Sequence, residues 1–334
     1  MGNDQTVRYP AVRRITDFDH LAELLPGWDG TFQQMTRGRF DALIQGARGR
    51  HAFAHFAQAS QSILARGRER LPSVSVSLVV PRCANATWQG RRLDPGCLIV
   101  RGRDVETCHR SDKPGVSLSL AASEAEFRHA VRVVSRAEAP SVAWSAMCAP
   151  PAAFRRLESS VHHFLEAAAH GSGVHTQELI EAEQACLAAA AEAVTTATQP
   201  HPADLPSPTR ARLVRRAGDL MQARLGLPTG EIDLCSQLGV SGRTLRLAFR
   251  ERTGLGPMAY FQLLRLHAVR AALRCADPQA VSVSGLARQY GFTHPGKFAG
   301  YYRRLFGESP SNSVPPNSPG AAGRLPHDPR ARRT

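Results

Sequence analysis

Long hydrophobic runs are missing from this 334-residue sequence. No window comes near the about 18 consecutive apolar residues that a transmembrane helix needs. The first residues, MGNDQTVRYPAVRR, also lack the apolar segment of a secretory signal. We therefore expect a cytoplasmic protein with no membrane partner.

Paired cysteines are missing as well. The seven cysteines are odd in number, widely scattered and without a C-x2-C pair, so they indicate neither a disulfide framework nor a zinc site. We expect reduced, mostly buried thiols and no metal or cofactor. No Gly-rich phosphate loop, paired carboxylates or nucleophile elbow is present, which argues against an enzyme.

Positive charge is in excess, and its distribution is uneven. The chain carries a net charge of +14, of which residues 204–312 contribute +9, residues 1–203 only +2 and residues 313–334 another +3. A basic segment favours partners that carry phosphate groups. Forty of the 42 basic residues are arginine, which we attribute to the base composition of the genome rather than to function.

Short strands are predicted between about residues 71 and 122. Residues 73–80, 86–88, 91–93, 97–100 and 116–120 alternate with period two and are separated by Gly/Pro turns. This spacing predicts a small antiparallel sheet or barrel. Ser123 and Glu126 then match a capping box, so a helix is predicted to begin there.

Two helices are predicted between residues 151 and 197, with a break at Gly171-Ser172-Gly173. Their apolar positions repeat at helical spacing, so this stripe could form a dimer interface or pack against the sheet. Its members are Phe154, Leu157, Val161, Phe164, Leu165, Leu179, Cys186, Ala190 and Ala193. Four prolines in residues 200–208 predict an extended linker after these helices.

Residues 204–312 contain two segments with the same plan, a helix, a short turn with glycine and a second helix with basic residues. The first has helices at 231–238 and 242–252, and the second has helices at 283–290 and 294–306. Tandem helix-turn-helix units are predicted, in which the start of each second helix enters the DNA major groove. Leu245 with Phe249, and Phe298 with Tyr302, are expected to face inward.

A helix predicted from Pro257 to Cys275 joins the two units. It is about 28 Å long at 1.5 Å per residue, close to the ~34 Å between successive major-groove openings. One protomer could therefore read two adjacent grooves. Its buried face is predicted to contain Phe261, Leu264, Ala268, Ala271 and Cys275.

The sequence of these segments resembles the DNA-binding domain of the AraC/XylS transcription regulators. The resemblance rests on residues 234–241 (LCSQLGVS), 250–257 (RERTGLGP), Gly291-Phe292, and Phe298 with residues 302–310 (YRRLFGESP). Residues 15–200, with Gly27-Trp28-Asp29, look more distantly like the sensor half of the ethanolamine-operon-regulator branch. An α+β chain is implied, with a β-rich, cupin-like sensor and an all-α double helix-turn-helix domain.

By position, the resemblance implies a set of side chains that face DNA. They are Ser241, Arg243, Thr244, Arg246 and Leu247 on the first reading helix, and His294, Gly296 and Lys297 on the second. Arg243 and Arg246 can each pair with guanine, worth ~1–3 kcal/mol of discrimination. Arg250, Arg303 and Arg304 lie further along, where phosphate contacts and plain solvated arginines are equally expected.

The implied domain plan has five parts. Residues 1–150 form the sensor, 151–198 a helical connector that could dimerise, 199–208 the linker, 209–312 the DNA-binding domain, with its helix-turn-helix units at 231–252 and 283–306, and 313–334 a disordered tail. The implied partners are operator DNA, a small effector of unknown identity, a second copy of the chain and RNA polymerase if the protein is an activator.

Two other groups of residues offer alternative sites. His51, His55 and His109 could be metal ligands in a barrel, but no carboxylate lies at a matching spacing. Thr107-Cys108-His109-Arg110 echoes the nucleophile of DNA alkyltransferases, so a DNA-repair alkyl acceptor using Cys108 is the alternative function.

Overall fold

Two antiparallel β-sheets form the first half of the chain. The computed structural model describes residues 12–25, 28–70, 73–80, 86–135, 144–170, 177–198 and 207–315. The strands are β1 (Arg13–Ile15), β2 (Trp28–Gln34), β3 (Ala42–Arg48), β4 (Ala52–Ala59), β5 (Ile63–Glu69), β6 (Ser73–Leu78), β7 (Thr87–Trp88), β8 (Arg91–Arg92), β9 (Cys97–Arg101), β10 (Thr107–Arg110), β11 (Gly115–Ser123) and β12 (Trp144–Cys148). A 3-10 helix, Phe18–Leu24, precedes β2.

The strand order shows that distant segments of the chain pair with one another. One sheet has the order β1-β3-β4-β11-β6-β9-β12, and the other has the order β2-β5-β10-β7-β8. The β-rich first half was predicted, and the strands expected between residues 73 and 120 are present. The sequence interpretation missed β1 to β5, β10 and β12. In β4 the buried positions Ala52 and Ala54 are alanine, which has a low strand propensity, so the strand pattern is weak there.

Three helices share the core of the seven-stranded sheet: α1 (Glu124–Ser135), between β11 and β12, and α2 (Pro151–His170) and α3 (Gln177–Thr196), after β12. The backbone N–H of Glu126 donates to Ser123 Oγ at 3.3 Å, as the predicted cap requires. The predicted break at 171–173 lies outside the described residues.

The apolar stripe on α2 and α3 is part of the core of the single chain. Leu157, Val161 and Phe164 have no exposed side-chain surface, and Cys186 and Ala190 are equally buried. All of them belong to one cluster with the strands of the seven-stranded sheet. Of the two uses predicted for this stripe, the structure shows packing within the chain. The stripe is therefore filled within one chain, and dimerisation of the protein stays a prediction.

One buried carboxylate joins α3 to the turn between β3 and β4. Glu183 is 3% exposed and accepts hydrogen bonds from the backbone N–H groups of Arg50 (3.1 Å), His51 (2.7 Å) and Ala52 (2.6 Å). Charge-assisted bonds of this kind are about twice as strong as neutral ones. The turn is thus stabilised by a residue more than 130 positions away.

The second half of the described chain is helical. It contains α4 (Pro208–Ala223), α5 (Glu231–Leu238), α6 (Gly242–Thr253), α7 (Pro257–Arg274), α8 (Val283–Gln289), α9 (Pro295–Phe306) and a 3-10 helix, Pro310–Ser313. The chain divides into two compact units, residues 1–211 with 251–254, and residues 212–250 with 255–334. Among the described residues, no helix is both long and apolar enough to cross a membrane.

Helix α7 is buried on more sides than its sequence pattern predicted. Phe261 and Leu264 are buried as expected, but Ala271 and Cys275 are exposed. Val269 and Leu273 have no exposed surface, although they lie off the predicted face, and Tyr260 at its edge is equally buried. The prediction of a single face was wrong, because one stripe describes a helix that packs on one neighbour and α7 is buried around most of its circumference.

The helical unit continues past the predicted end at residue 312. Ser313 is 6% exposed, and its Oγ lies 2.6 Å from the hydroxyl of buried Tyr302. Ser313 Oγ also donates to Glu308 Oε1 at 2.6 Å. Residues 313–315 are therefore ordered parts of this unit, and residues 316–334 of the predicted tail lie outside the described residues.

Candidate nucleic-acid interface

The first helix-turn-helix unit consists of α5, a three-residue turn and α6. Gly239 ends α5 with φ of 66°, a left-handed conformation that glycine adopts without steric cost, and its N–H reaches back to the carbonyls of α5. Gly291 has φ of 83° at the corresponding place between α8 and α9. The two turns therefore use the same backbone solution, as the sequence predicted.

Helix α6 has a buried back and an exposed front. Leu245, Ala248 and Phe249 are fully buried, which holds the helix on the rest of the unit. The ring of Phe249 lies 5.5 Å from that of Tyr260 on α7. The front contains the side chains predicted to face DNA, and each is exposed: Ser241, Arg243, Thr244, Arg246, Leu247 and Arg250.

Two of these side chains also have partners inside the unit. The backbone N–H of Thr244 donates to Ser241 Oγ at 3.1 Å, so Ser241 caps the start of α6. Arg246 Nη1 forms an ion pair with Glu231 Oε1, at the first residue of α5. Arg243 forms no such ion pair within the described residues, so Arg243 and Arg246 are not equivalent.

The second unit, α8 and α9, follows the same plan, but the exposed side of α9 has fewer polar side chains near its start. Phe298 and Tyr302 face inward, 2% and 0% exposed, and their rings are 5.6 Å apart. Pro295 occupies the first turn of α9, where its missing N–H is harmless. His294, Gly296, Lys297, Arg303 and Arg304 are exposed. The Arg304 guanidinium lies 5.0 Å from the centre of the Tyr301 ring.

Not every arginine of this unit is available to a partner. Arg265 donates to the backbone carbonyls of Leu225 (2.8 Å) and Leu227 (2.6 Å) and lies over the Phe261 ring. Arg270 is 4% exposed. These two arginines serve the fold, which a count of charges along the sequence did not reveal.

Comparison with known proteins identifies the helical unit. Residues 234–313 match the model of a helix-turn-helix domain family. A probable AraC family transcriptional regulator from Rhodopseudomonas palustris, of known structure, is 30% identical and aligns over 31% of this chain and 94% of its own, with a TM-score of 0.28. The C-terminal domain belongs to the AraC/XylS family.

Two curated relatives support the same assignment. The probable thc operon regulatory protein of Rhodococcus erythropolis is 35% identical over 109 residues, 33% of either chain. The XylDLEGF operon transcriptional activator 2 of Pseudomonas putida is 40% identical over 75 residues, which are 22% of this chain and 48% of the relative. This chain thus spans a third to a half of the length of these relatives.

The alternative site at Cys108 lacks the features of a nucleophile. The Cys108 side chain is 5% exposed, and burial raises the pKa of its thiol. A reactive cysteine needs the opposite, a lowered pKa and an accessible sulfur. The burial and raised pKa of Cys108 therefore give no support to a DNA alkyl acceptor.

The remaining chemistry-bearing side chains of the first half lie in two places. His51 contacts Glu126 at 3.5 Å on the helical side of the seven-stranded sheet. His55 and His109 line a cavity between the two sheets, together with Arg101. His51 therefore lies apart from His55 and His109, and the three histidines do not converge on a metal site. Among the cysteines of both halves that the structure describes, Cys97, Cys108 and Cys186 are buried, Cys235 is half-buried, and Cys148 and Cys275 are exposed.

Proposed function

We propose that this chain is a sequence-specific, DNA-binding transcription regulator whose β-rich half responds to a small effector. The observation that carries the proposal is the pair of helix-turn-helix units, each with a buried aromatic back and an exposed polar or basic front. A single unit of this kind could arise in any helical protein. Two in tandem, in a domain of the AraC/XylS type, favour reading of two adjacent major grooves.

The proposed division of labour follows from side-chain chemistry. Arg243 and Arg246, near the start of α6, are proposed to read guanine, while Arg250, Arg303 and Arg304 contact phosphates. The front of α9 offers little base-reading capacity beyond His294 and Lys297, since Gly296 has no side chain. The second unit is proposed to contribute mainly backbone contacts and register.

The proposal also covers location and assembly. A cytoplasmic protein fits a DNA partner, and RNA polymerase is the expected further partner if the regulator activates transcription. A homodimer is proposed as the working form on DNA. Its interface must use a surface other than the stripe on α2 and α3, because that stripe is filled within the chain. Sedimentation of the full chain with and without operator tests this part.

Selection of bound duplexes from a random pool tests the central claim. The full chain is expected to enrich a site with a well-defined block read by α6 and a second, weaker block about one helical turn away. The charged side chains proposed to contact DNA are Arg243, Arg246, Arg250, Lys297, Arg303 and Arg304. With six such contacts, the slope of log K against log salt should be no steeper than about −5 for one protomer. Enrichment of no sequence, with a slope near zero, would contradict the proposal.

A further inference from the structure

A cavity lies between the two sheets and has two adjoining compartments of about 120 Å³ each. The first is partly polar and is lined by Trp28, Trp88, Arg101, Glu69 and several serines. The second is apolar and is lined by leucine, isoleucine and alanine side chains. Phe32, Phe53, His55 and His109 line both compartments. The cavity thus has one end suited to a polar group and one suited to a hydrocarbon.

Arg101 is the unusual group of the polar compartment. Its Nη2 donates to Ser77 Oγ at 3.0 Å, and its guanidinium lies 5.6 Å from the centre of the Trp88 ring. Its Nε is buried without a hydrogen-bond partner, and Arg101 has no ion-pair partner in the described part of the chain. A buried guanidinium has five N–H donors and is costly unless they are used.

The groups around Arg101 leave it as the positive end of the cavity. Burial lowers the pKa of Arg101 to about 10, so it stays charged at neutral pH. Burial, followed by the charge of Arg101, lowers the pKa values of His55 and His109 to about 4, so both rings are neutral there. Glu69 lines the same compartment with the opposite charge and opposes the lowering of the Arg101 pKa.

Two serines of the polar compartment hold the Arg101 guanidinium in place. Ser119 Oγ donates to Ser77 Oγ at 2.8 Å, on the same oxygen that Arg101 contacts. The remaining guanidinium donors form a planar fork, which matches the two oxygens of a carboxylate. A single neutral acceptor would use only one of these donors. A carboxylate would use two and also neutralise the buried charge.

We propose that this cavity binds a small amphipathic monocarboxylate, with its carboxylate on Arg101 and a single ring or short hydrocarbon body in the apolar compartment. The volume sets the size, because an apolar cavity of about 150 Å³ holds one benzene. Each compartment is slightly smaller, so one ring with a short arm fills the pair. This inference rests on the proposed effector response of the β-rich half, and it names the chemical class of that effector.

Three matched probes test the preference for a carboxylate on the unmodified full chain. They are 3-phenylpropionate, 3-phenylpropan-1-ol and 3-phenylpropan-1-amine, titrated by calorimetry or by the fluorescence of Trp28 and Trp88, which line the cavity. We expect the acid to bind at least ten-fold more tightly than the alcohol, and the amine to bind most weakly. Equal binding of acid and alcohol would overturn the proposal. Tighter binding of the amine would also overturn it and would assign the site to Glu69.

Variants at Arg101 test which residue produces the preference. Arg101→Gln should reduce the ratio of acid to alcohol affinity to near one while leaving the alcohol unaffected, and Arg101→Lys should keep part of the ratio. Arg103→Gln is the control, because Arg103 is exposed and lies next to Asp104 at the surface. A ratio unchanged in Arg101→Gln would refute the assignment, and if that variant does not fold, Arg101→Lys and the probe series decide.

The outcome is separable from the proposed regulatory function. Probe binding is measured without DNA, so a chain that selects no duplex but prefers the acid would overturn the DNA-binding proposal alone. A chain that selects a duplex but binds none of the three probes would overturn the ligand class alone. Circular dichroism of each variant shows whether the β-rich half is folded.

Discussion

The ion pair between Arg246 and Glu231 leads to the prediction that removing it tightens DNA binding while it lowers the stability of the domain. Arg246 is 51% exposed and Glu231 26% exposed, so the pair contributes at most about 1 kcal/mol to stability. A guanine contact by the same guanidinium is worth ~1–3 kcal/mol. Arg246 must leave Glu231 to make the proposed contact, so we expect the ion pair to lower the affinity for DNA.

Glu231→Gln should therefore tighten binding to the selected duplex by up to about five-fold, the equivalent of about 1 kcal/mol. The same change should slightly lower the stability of the domain, since Glu231 is the first residue of α5 and favours the helix N-terminus by about 0.3–1 kcal/mol. A small fall in Tm together with tighter DNA binding is the expected signature. Fluorescence anisotropy and thermal unfolding of the full chain measure the two effects.

Two controls separate release of Arg246 from a general charge effect. Asp219→Asn changes the net charge equally at an exposed position of α4 and should tighten binding less. In the Arg246→Ala background, Glu231→Gln should have no more effect than Asp219→Asn does. If Glu231→Gln tightens binding equally with and without Arg246, the guanidinium does not contact DNA and the reasoning fails.

Four further predictions concern other parts of the chain. Glu183→Gln should destabilise the first unit by about 1–3 kcal/mol, because one of its acceptor oxygens becomes a donor facing backbone N–H groups. Thermal unfolding measures this loss, with Glu181→Gln at an exposed position as the control. Equal Tm values for the two variants would contradict the prediction. The first unit should lose stability as pH falls from 6.5 to about 4, because His55 and His109 take up protons at a higher pH in the unfolded chain than in the folded chain. In chemical denaturation, a double variant with His55→Gln and His109→Gln should show a weaker dependence of stability on pH. Val161→Asp should lower the free energy of unfolding of the first unit by more than about 4 kcal/mol, rather than only separate protomers. If circular dichroism and sedimentation show a folded monomer instead, the stripe on α2 and α3 is a dimer interface. Arg304→Ala should weaken all duplexes about equally, whereas Arg243→Ala should relax selection at one base pair by ~1–3 kcal/mol, and a base-substitution scan distinguishes the two patterns.

The helix-turn-helix units could be predicted because their determinants are local. Gly239 and Gly291 mark the turns, and the spacing of Leu245 and Phe249 identifies the buried back of α6 within a few residues. Each signal depends on backbone conformation or on helical periodicity over one or two turns. The bounds of α5 and α6 therefore follow closely from the sequence.

The β-rich half was predicted less completely because its stability depends on distant pairs. Glu183 fixes the turn at Arg50 to Ala52, although more than 130 residues separate them, and no pattern in either segment indicates the partner. The stripe on α2 and α3 shows the same limit. Its period predicts that one face is buried, but not whether a sheet or a second protomer covers it.

The distribution of charge illustrates how the fold changes the meaning of a composition. The sequence places sixteen basic residues in 204–312, and a count alone would treat them as one DNA-binding surface. The fold uses Arg265 and Arg270 for internal contacts and holds Arg246 against Glu231. We therefore expect Arg243, at the exposed start of α6, to be the residue best placed to read a base, because it has no ion pair within the described residues to break first. In the proposed complex, the duplex alone would set the affinity of Arg243 for guanine, whereas the duplex and Glu231 would together set that of Arg246.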